Sequence, residues 1–162
     1  MRIQKIYLET TLFNFYLDKG RDAHADTVKL FKMIAAGKYE AFTSDYVVDE
    51  LKKAPPEKSA KMINLLNEYG IPVFEMSDEA DKLAGIYVAE GIIPQKYRTD
   101  GLHIAIATVN NLDIIVSMNF QHIVKRKTVI MTGHINMMNG YRTIDIYSPM
   151  EVVEDEDENK NE

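Results

Sequence analysis

Short apolar segments alternate with amphipathic helical segments along the chain, and this alternation constrains the fold more than any other feature. The clearest strand is the apolar run at residues 113–118, and another opens the chain at residues 5–9. Short apolar runs bounded by turn residues are typical of buried strands. Strands that alternate with helices predict an α/β fold with a parallel sheet covered on both faces. Strands are predicted at residues 5–9, 39–43, 72–76, 113–118, 127–131 and 143–146.

Helical spacing of apolar residues fills the intervals between these strands. One helix differs from the others because Leu102–Val109 is apolar on nearly every side, which predicts a buried helix. Thr99 is a candidate N-cap of that helix, and Asp100 and His103 share one face at its opening end. The other helices are predicted at residues 12–17, 22–36, 45–53, 57–69, 78–90 and 134–139, with Ser44 and Ser77 as N-caps.

Length and composition indicate one domain without disulfide cross-links. The chain has 162 residues and no cysteine, so disulfides and thiolate metal sites are excluded. Its net charge of −6 is carried by the last twelve residues, which contain seven acids and one lysine. Such a tail buries too little apolar surface to order itself. With neither a secretory leader nor a membrane-spanning run, we expect a soluble cytoplasmic protein.

Acidic and amide side chains recur where the predicted strands end. Glu9 ends the first strand, Asn119 follows the strand at 113–118, and Asp100 opens the helix leading into that strand. Glu50 lies in the helix after the second strand. Sites in open parallel sheets lie outside the carboxyl ends of the strands, so we expect these four residues to converge.

Each of these residues also has an ordinary structural interpretation. Glu9 can contact a helix cap, Asp100 can favour the helix dipole, and Asn119 is a common turn residue. Glu50 can be a surface acid, and spacing alone does not choose between it and the neighbouring Asp49.

Converging carboxylates repel one another unless a cation compensates them. Oxygen ligands suit Mg²⁺ or Mn²⁺ rather than Zn²⁺, and such ions activate water for attack on a phosphodiester. The sequence contains no nucleophile elbow that would suggest covalent catalysis.

Other polar residues near these positions are weaker candidates. Lys125, Arg126 and Lys127 follow Asn119 and are candidates for contacting RNA phosphates, although such a run is usually a solvated turn. His103 is a candidate for substrate contact at the rim, against the commoner alternative of a satisfied core histidine. His122 and His134 lack a partner at metal-ligand spacing.

Three motifs in order resemble the PIN domain, the fold of many metal-dependent ribonucleases and of VapC-type toxins. They are Ile-Tyr-Leu-Glu-Thr-Thr at residues 6–11, Thr-Ser-Asp-Tyr-Val-Val-Asp-Glu-Leu at 43–51, and Tyr-Arg-Thr-Asp-Gly-Leu-His-Ile-Ala-Ile-Ala at 97–107. Ser-Met-Asn-Phe-Gln-His-Ile at 117–123 is similar to a further family segment, and residues 134–141 and 144–149 are similar to one bacterial branch.

The resemblance implies a three-layer α/β/α sandwich over residues 1–153, and the composition of residues 154–162 predicts an acidic solvated tail. It implies catalytic roles for Glu9, Glu50, Asp100 and Asn119, with the three carboxylates binding Mg²⁺ or Mn²⁺. It also favours Glu50 over Asp49. It further implies RNA as substrate, an antitoxin protein as partner, and a homodimer.

The chain departs from the family pattern in ways that bear on activity. Glu9 stands where the family usually has Asp, Asn119 brings no charge, and Met118 stands where relatives often have Trp. Three hypotheses follow: a metal-dependent endoribonuclease hydrolysing RNA phosphodiester bonds, a catalytically inactive PIN-like module that binds RNA or protein, and a receiver-like signalling domain. The last is disfavoured because Thr10 and Thr11 follow Glu9, where paired acids are expected.

Overall fold

The computed structural model describes residues 2–154, in which five parallel strands form one central sheet. The strand order is β3-β2-β1-β4-β5, so β1 lies at the centre. Its three C-terminal residues are fully buried, which matches its apolar sequence. The strands are β1 (Gln4–Leu8), β2 (Tyr39–Ser44), β3 (Val73–Phe74), β4 (Ile114–Val116) and β5 (Asp145–Tyr147).

Seven α-helices connect the described strands and cover both faces of the sheet. They are α1 (Thr10–Leu17), α2 (His24–Ala35), α3 (Asp45–Leu51), α4 (Pro56–Glu68), α5 (Asp78–Ala89), α6 (Arg98–Val109) and α7 (Arg126–Met138). A short 3-10 helix, Gln95–Tyr97, precedes α6, and residues 149–154 are helical. Helices α1–α4 pack on one another, as do α5–α7. Right-handed crossovers place these two groups on opposite faces, which confirms the three-layer α/β/α architecture.

The direction of the chain through the sheet reverses between β1 and β4. From β1 the chain proceeds outward through β2 to β3, and it then returns to β4 on the other side of β1 and continues to β5. The register pairs Leu8 with Val116, so β1 and β4 end side by side. This is the topological switch point, where open parallel sheets form their sites.

Helix α6 is the buried helix predicted from its composition. Every residue from Gly101 to Thr108 is buried, and α5 is its main packing partner. The predicted N-cap Thr99 is wrong, because the helix begins at Arg98 and its N-cap, Tyr97, makes no side-chain capping bond. Ser44 and Ser77 do cap α3 and α5, accepting hydrogen bonds from Val47 and Ala80.

The strand predicted at residues 127–131 is also wrong, because these residues belong to α7. Their β-branched composition favours a strand locally, but Thr128, Thr132 and Asn136 share one inward helix face. The Thr132 hydroxyl donates to the Thr128 carbonyl at 2.6 Å, and the Asn136 amide bonds both Tyr87 and Thr108. Hydrogen bonds from this helix face to neighbouring helices therefore outweigh the local preference of residues 127–131 for a strand.

The C-terminal helix packs Val152 and Val153 into the core. No helix within residues 2–154 is both long and apolar enough to cross a membrane. The predicted acidic tail, residues 154–162, lies outside the described residues except for Glu154, which is exposed.

Candidate functional site

Glu9 is held by hydroxyl groups at the switch point. It follows β1 directly, is 4% exposed, and caps α1 by accepting the Thr11 backbone N–H at Oε2, 3.2 Å away. Its Oε1 accepts the hydroxyls of Thr11 and Ser117, both at 2.6 Å. The capping role expected as an alternative is therefore real. Since Ser117 follows β4, the same bonds also fix Glu9 to the strand beside its own.

Glu50 lies at the end of a buried hydrogen-bond chain. Its Oε1 is 2.6 Å from His103 Nε2, and His103 Nδ1 is 2.7 Å from the Tyr7 hydroxyl. That hydroxyl is in turn 2.7 Å from Ser44 Oγ, which accepts the Val47 N–H. The chain thereby connects α3, α6, β1 and the end of β2 through side chains alone.

We expected His103 at the rim of the site, but its side chain lies in the protein interior and is 1% exposed. Burial disfavours its imidazolium form, but the hydrogen bond to Glu50 and the charges of Glu9, Glu50 and Asp100 together raise its pKa. Burial likewise opposes ionisation of Glu50, yet the His103 hydrogen bond and charge lower the pKa of that carboxyl. The interior thus favours a Glu50–His103 ion pair, and the negative charges of Glu9 and Asp100 favour the same imidazolium form.

Asp100 has its own histidine partner. Its Oδ2 is 2.9 Å from His122 Nδ1, and the imidazole of His122 lies against the Tyr97 ring with centroids 4.1 Å apart. The Asp100 and His122 side chains are 17% and 11% exposed, whereas in the other pair Glu50 is 31% exposed and His103 is 1% exposed. Asp100 is therefore more than a helix-dipole residue.

Asn119 organises the turn that connects these pairs. Its Oδ1 accepts the His122 backbone N–H at 3.1 Å, and its own N–H donates to Ser117 Oγ at 2.9 Å. This is the turn role expected as the alternative interpretation. Through the turn, Glu9 is connected by Ser117 and Asn119 to His122 and hence to Asp100.

The basic run Lys125–Lys127 lies on the surface just beyond this turn. All three residues are exposed. The Lys127 ammonium donates to the Gly91 carbonyl at 3.0 Å, and Lys125 is the N-cap residue of α7. Their positive charges therefore lie beside the His122 end of the site.

The structure brings the sequence-predicted carboxylates to one place, but it does not close them into a coordination shell. Among residues 2–154, no group of three His, Asp or Glu side chains is arranged to hold a metal ion. Each carboxylate is instead held by a protein donor: hydroxyls for Glu9, His103 for Glu50 and His122 for Asp100.

Sequence reasoning missed the residues that hold these acids. Tyr7 and Ser117 are buried polar residues at strand ends that no motif spacing identifies, and Ser44 is predicted as a helix cap but not as a partner of Tyr7. His122 was set aside because no partner lies at metal-ligand spacing, yet its partner Asp100 is 22 positions earlier. The one sequence signal for Tyr7 and Ser117 is their position at the C-terminal ends of the two predicted strands.

Two solved structures share this fold. One is VapC20 from Mycobacterium tuberculosis, a sarcin–ricin loop cleaving toxin, which is 11% identical, with coverage of 86% of this chain and 98% of that chain and a TM-score of 0.58. The other is VapBC2 from Rickettsia felis, bound to a DNA fragment from the VapBC2 promoter. It is 15% identical, with coverage of 90% of this chain and 98% of that chain and a TM-score of 0.57. No protein-family model matches the sequence, and no curated protein does. The PIN-type fold of VapC toxins, expected from the resemblance, is confirmed.

Proposed function

We propose that this chain is a Mg²⁺- or Mn²⁺-dependent endoribonuclease that hydrolyses RNA phosphodiester bonds. The observation that carries the proposal is the hydrogen-bond network at the switch point of the sheet, which joins Glu9 to Asp100 through the turn at Asn119, beside the Glu50–His103 pair. Several carboxylates gathered at one edge are costly unless they perform chemistry or hold a cation. The fold shared with VapC20, which is described as a sarcin–ricin loop cleaving toxin, supports the same reaction class.

The donor set fits a hard divalent ion. His103 engages Oε1 of Glu50 and His122 engages Oδ2 of Asp100, so Glu50 Oε2 and Asp100 Oδ1 are the oxygens that would face a bound ion. Glu9 would contribute its Oε2, which accepts only the long bond from Thr11. Oxygen donors of this kind suit Mg²⁺ and Mn²⁺. A bound ion would supply an activated water and neutralise charge on the phosphate.

The residues around these carboxylates fix their orientation. His103 and His122 each hold one oxygen of an acid, so rotation of that acid is restricted. Ser117 and Thr11 do the same for Glu9, and Asn119 holds the turn that presents Ser117 and His122. Fixed partners of this kind reduce the reorganisation needed when a charged substrate arrives. Asn119 therefore acts in our proposal by positioning the turn, and its side-chain oxygen is already engaged.

The RNA backbone approaches over the exposed basic residues. Lys125, Arg126 and Lys127 lie beside His122, so they offer positive charge next to Asp100. Phosphate contacts of this type position a strand without reading its sequence.

The cleavage assay compares wild type with Asp100→Asn on labelled single-stranded RNAs, with Mn²⁺ and with Mg²⁺. We expect Asp100→Asn to lower the rate by at least about tenfold, the usual cost of disturbing a metal shell. Asp78→Asn is the matched control, because Asp78 is an exposed acid in the first turn of α5 and makes no hydrogen bond to a described residue. Equal cleavage by all three proteins would refute the assignment.

A thermal titration tests metal binding separately from turnover. Ligands that bind only the folded state raise the melting temperature by mass action. Mn²⁺ should therefore stabilise wild type and Asp78→Asn but stabilise Asp100→Asn less. A melting temperature that ignores Mn²⁺ in wild type contradicts the metal assignment.

We further propose that the chain is the toxin of a cytoplasmic toxin–antitoxin pair, that a cognate antitoxin protein covers the carboxylate site, and that the toxin forms a homodimer. The fold shared with the VapC20 toxin and the VapBC2 complex supports this role. Expression of wild type should arrest bacterial growth while Asp100→Asn should not. Equal growth on expression of both would contradict the toxin role.

A catalytically inactive RNA- or protein-binding module is the second candidate. It is favoured by one observation: each carboxylate already has a protein donor, and no metal-holding triad exists among the described residues. In that case the Glu50–His103 pair compensates charge without a cation. RNA binding without cleavage, together with a melting temperature unaffected by Mn²⁺, would identify this alternative.

A further inference from the structure

A second concave surface adjoins the carboxylate site and has no role in the chemistry proposed above. It is a cleft of about 520 Å³ between the end of α1, the loop leading to α2, and the segment after β4. This volume is typical of small-ligand sites. The side chains that shape it are Phe15, Arg21, Asp22, Asp26, Met118 and Met150.

The walls of the cleft suit a planar aromatic ligand. Phe15 is half-buried, and the Arg21 guanidinium lies 4.9 Å from the centre of its ring. The thioethers of Met118 and Met150 add flexible, polarisable surface. Aromatic rings and guanidinium planes are the surfaces on which unpaired nucleobases stack.

The charge of the cleft disfavours a phosphate. Arg21 is already paired with Asp18, since its Nε is 2.8 Å from Asp18 Oδ2. Asp22 and Asp26 form no hydrogen bond or ion pair with another residue in the range 2–154 and leave the cleft acidic. Free carboxylates repel phosphate but accept hydrogen bonds from exocyclic amino groups, such as N4 of cytosine or N6 of adenine. Uracil has the acceptor O4 in place of this amino group, so it cannot donate a hydrogen bond to the carboxylates there.

The loop that forms one wall is held in place by its own hydrogen bonds. Asp18 accepts from the Gly20 N–H at 3.3 Å, and the Arg21 N–H donates to the Asp18 carbonyl at 3.2 Å. His24 Nδ1 is 2.9 Å from the Phe15 carbonyl, which ties the loop to the end of α1. A ligand entering the cleft therefore meets a surface that is already shaped, which lowers the entropy cost of binding.

The cleft is connected directly to the carboxylate site through Met118. The Met118 backbone N–H donates to the Thr11 hydroxyl at 2.9 Å, and that hydroxyl donates to Glu9 Oε1 at 2.6 Å. The residue that lines the cleft therefore lies two hydrogen bonds from a candidate catalytic acid. This connection places the cleft on the side of the carboxylate site where Glu9 lies.

We propose that this cleft binds one unpaired nucleobase of the RNA, stacked on Phe15 and Arg21, and that Asp26 selects bases with an exocyclic amino group over uracil. The inference rests on the proposed function, because it assumes an RNA strand at the carboxylates. It adds a base-recognition site and a specificity-determining acid to that site.

The test is binding without turnover, so that its outcome is independent of catalysis. Fluorescence anisotropy in EDTA at low salt compares labelled oligocytidine and oligouridine of equal length, which have the same ring size and backbone. Wild type should bind oligocytidine about tenfold tighter, the factor expected for one hydrogen bond to a charged group. Asp26→Asn should bring the two affinities close together, because an amide can serve either base.

Two further variants separate the contributions. Phe15→Leu should weaken binding of both oligonucleotides, because base stacking is largely independent of sequence. Asp78→Asn removes an acid from the first turn of another helix, as Asp26→Asn does for α2, and should leave the preference unchanged.

Equal binding of the two oligonucleotides by wild type, or a preference that survives Asp26→Asn, would overturn the inference. So would an absence of binding to either. If cleavage with Mn²⁺ persists in that case, the proposed nuclease function stands and only the base site is lost.

Discussion

Replacing Tyr7 with Phe removes the central hydroxyl of the buried chain that supports Glu50. Tyr7, Ser44 and His103 are each at most 1% exposed, so water does not replace the lost group. In the imidazolium form that the Glu50 pair favours, both ring nitrogens of His103 donate, Nε2 to Glu50 and Nδ1 to the Tyr7 hydroxyl. Ser44 Oγ keeps its bond from the Val47 N–H, so the imidazole nitrogen is the atom left unsatisfied.

The expected cost follows from that one atom. A buried donor left without a partner costs about 1–3 kcal/mol, and we take about 2 kcal/mol for Tyr7→Phe. For a domain of this length, that lowers the melting temperature by roughly 4–8 °C. The urea m-value should not change, because the surface exposed on unfolding is the same.

The control is Tyr16→Phe, which removes a hydroxyl of similar geometry in a more accessible place. The Tyr16 and Tyr69 hydroxyls are 2.7 Å apart and half-buried, so solvent can replace the bond. We expect a loss of no more than about 1 kcal/mol. Urea denaturation followed by circular dichroism measures both variants. A Tyr7→Phe protein as stable as wild type, or no less stable than Tyr16→Phe, would refute the reasoning.

Two further predictions concern helix α6, which contains His103 and Gly101. Because the pKa of Glu50 is lowered and that of His103 raised, their pair stabilises the fold most between roughly pH 4.5 and 6.5, the pKa values of the unfolded groups. The stability advantage of wild type over His103→Gln should shrink as pH rises through the raised pKa of His103; an advantage independent of pH in thermal melts contradicts this. Gly101→Ala should destabilise the folded protein by about 1 kcal/mol, because the added Cβ would lie 3.1 Å from the side chain of buried Ile93. Gly85→Ala, whose Cβ would have its nearest atom at 3.7 Å, should stabilise the fold by about 0.8 kcal/mol, because alanine favours a helix more than glycine does. Equal shifts in melting temperature for the two glycine variants would contradict the packing argument.

The sequence by itself determined the α/β class, the order of most elements and the edge of the sheet where the acids gather. Periodicity is a local property, so β1, β4 and the buried α6 are visible in the order of apolar residues. The caps at Ser44 and Ser77 are equally local, and both are confirmed. The acids at strand ends follow from the parallel sheet, since parallel strands end at one edge.

Only the tertiary structure decided which side chain holds each acid. The partner of Glu50 is 53 positions away and that of Asp100 is 22 positions away, and no periodic pattern links such distances. Tertiary contacts also made residues 127–131 part of α7, because Asn136 bonds Tyr87 and Thr108 on neighbouring helices. Local preference is a weak energy per residue, and a buried hydrogen-bonded face outweighs it. His103, expected at the rim, lies in the interior because its imidazole bonds Glu50 on one side and Tyr7 on the other.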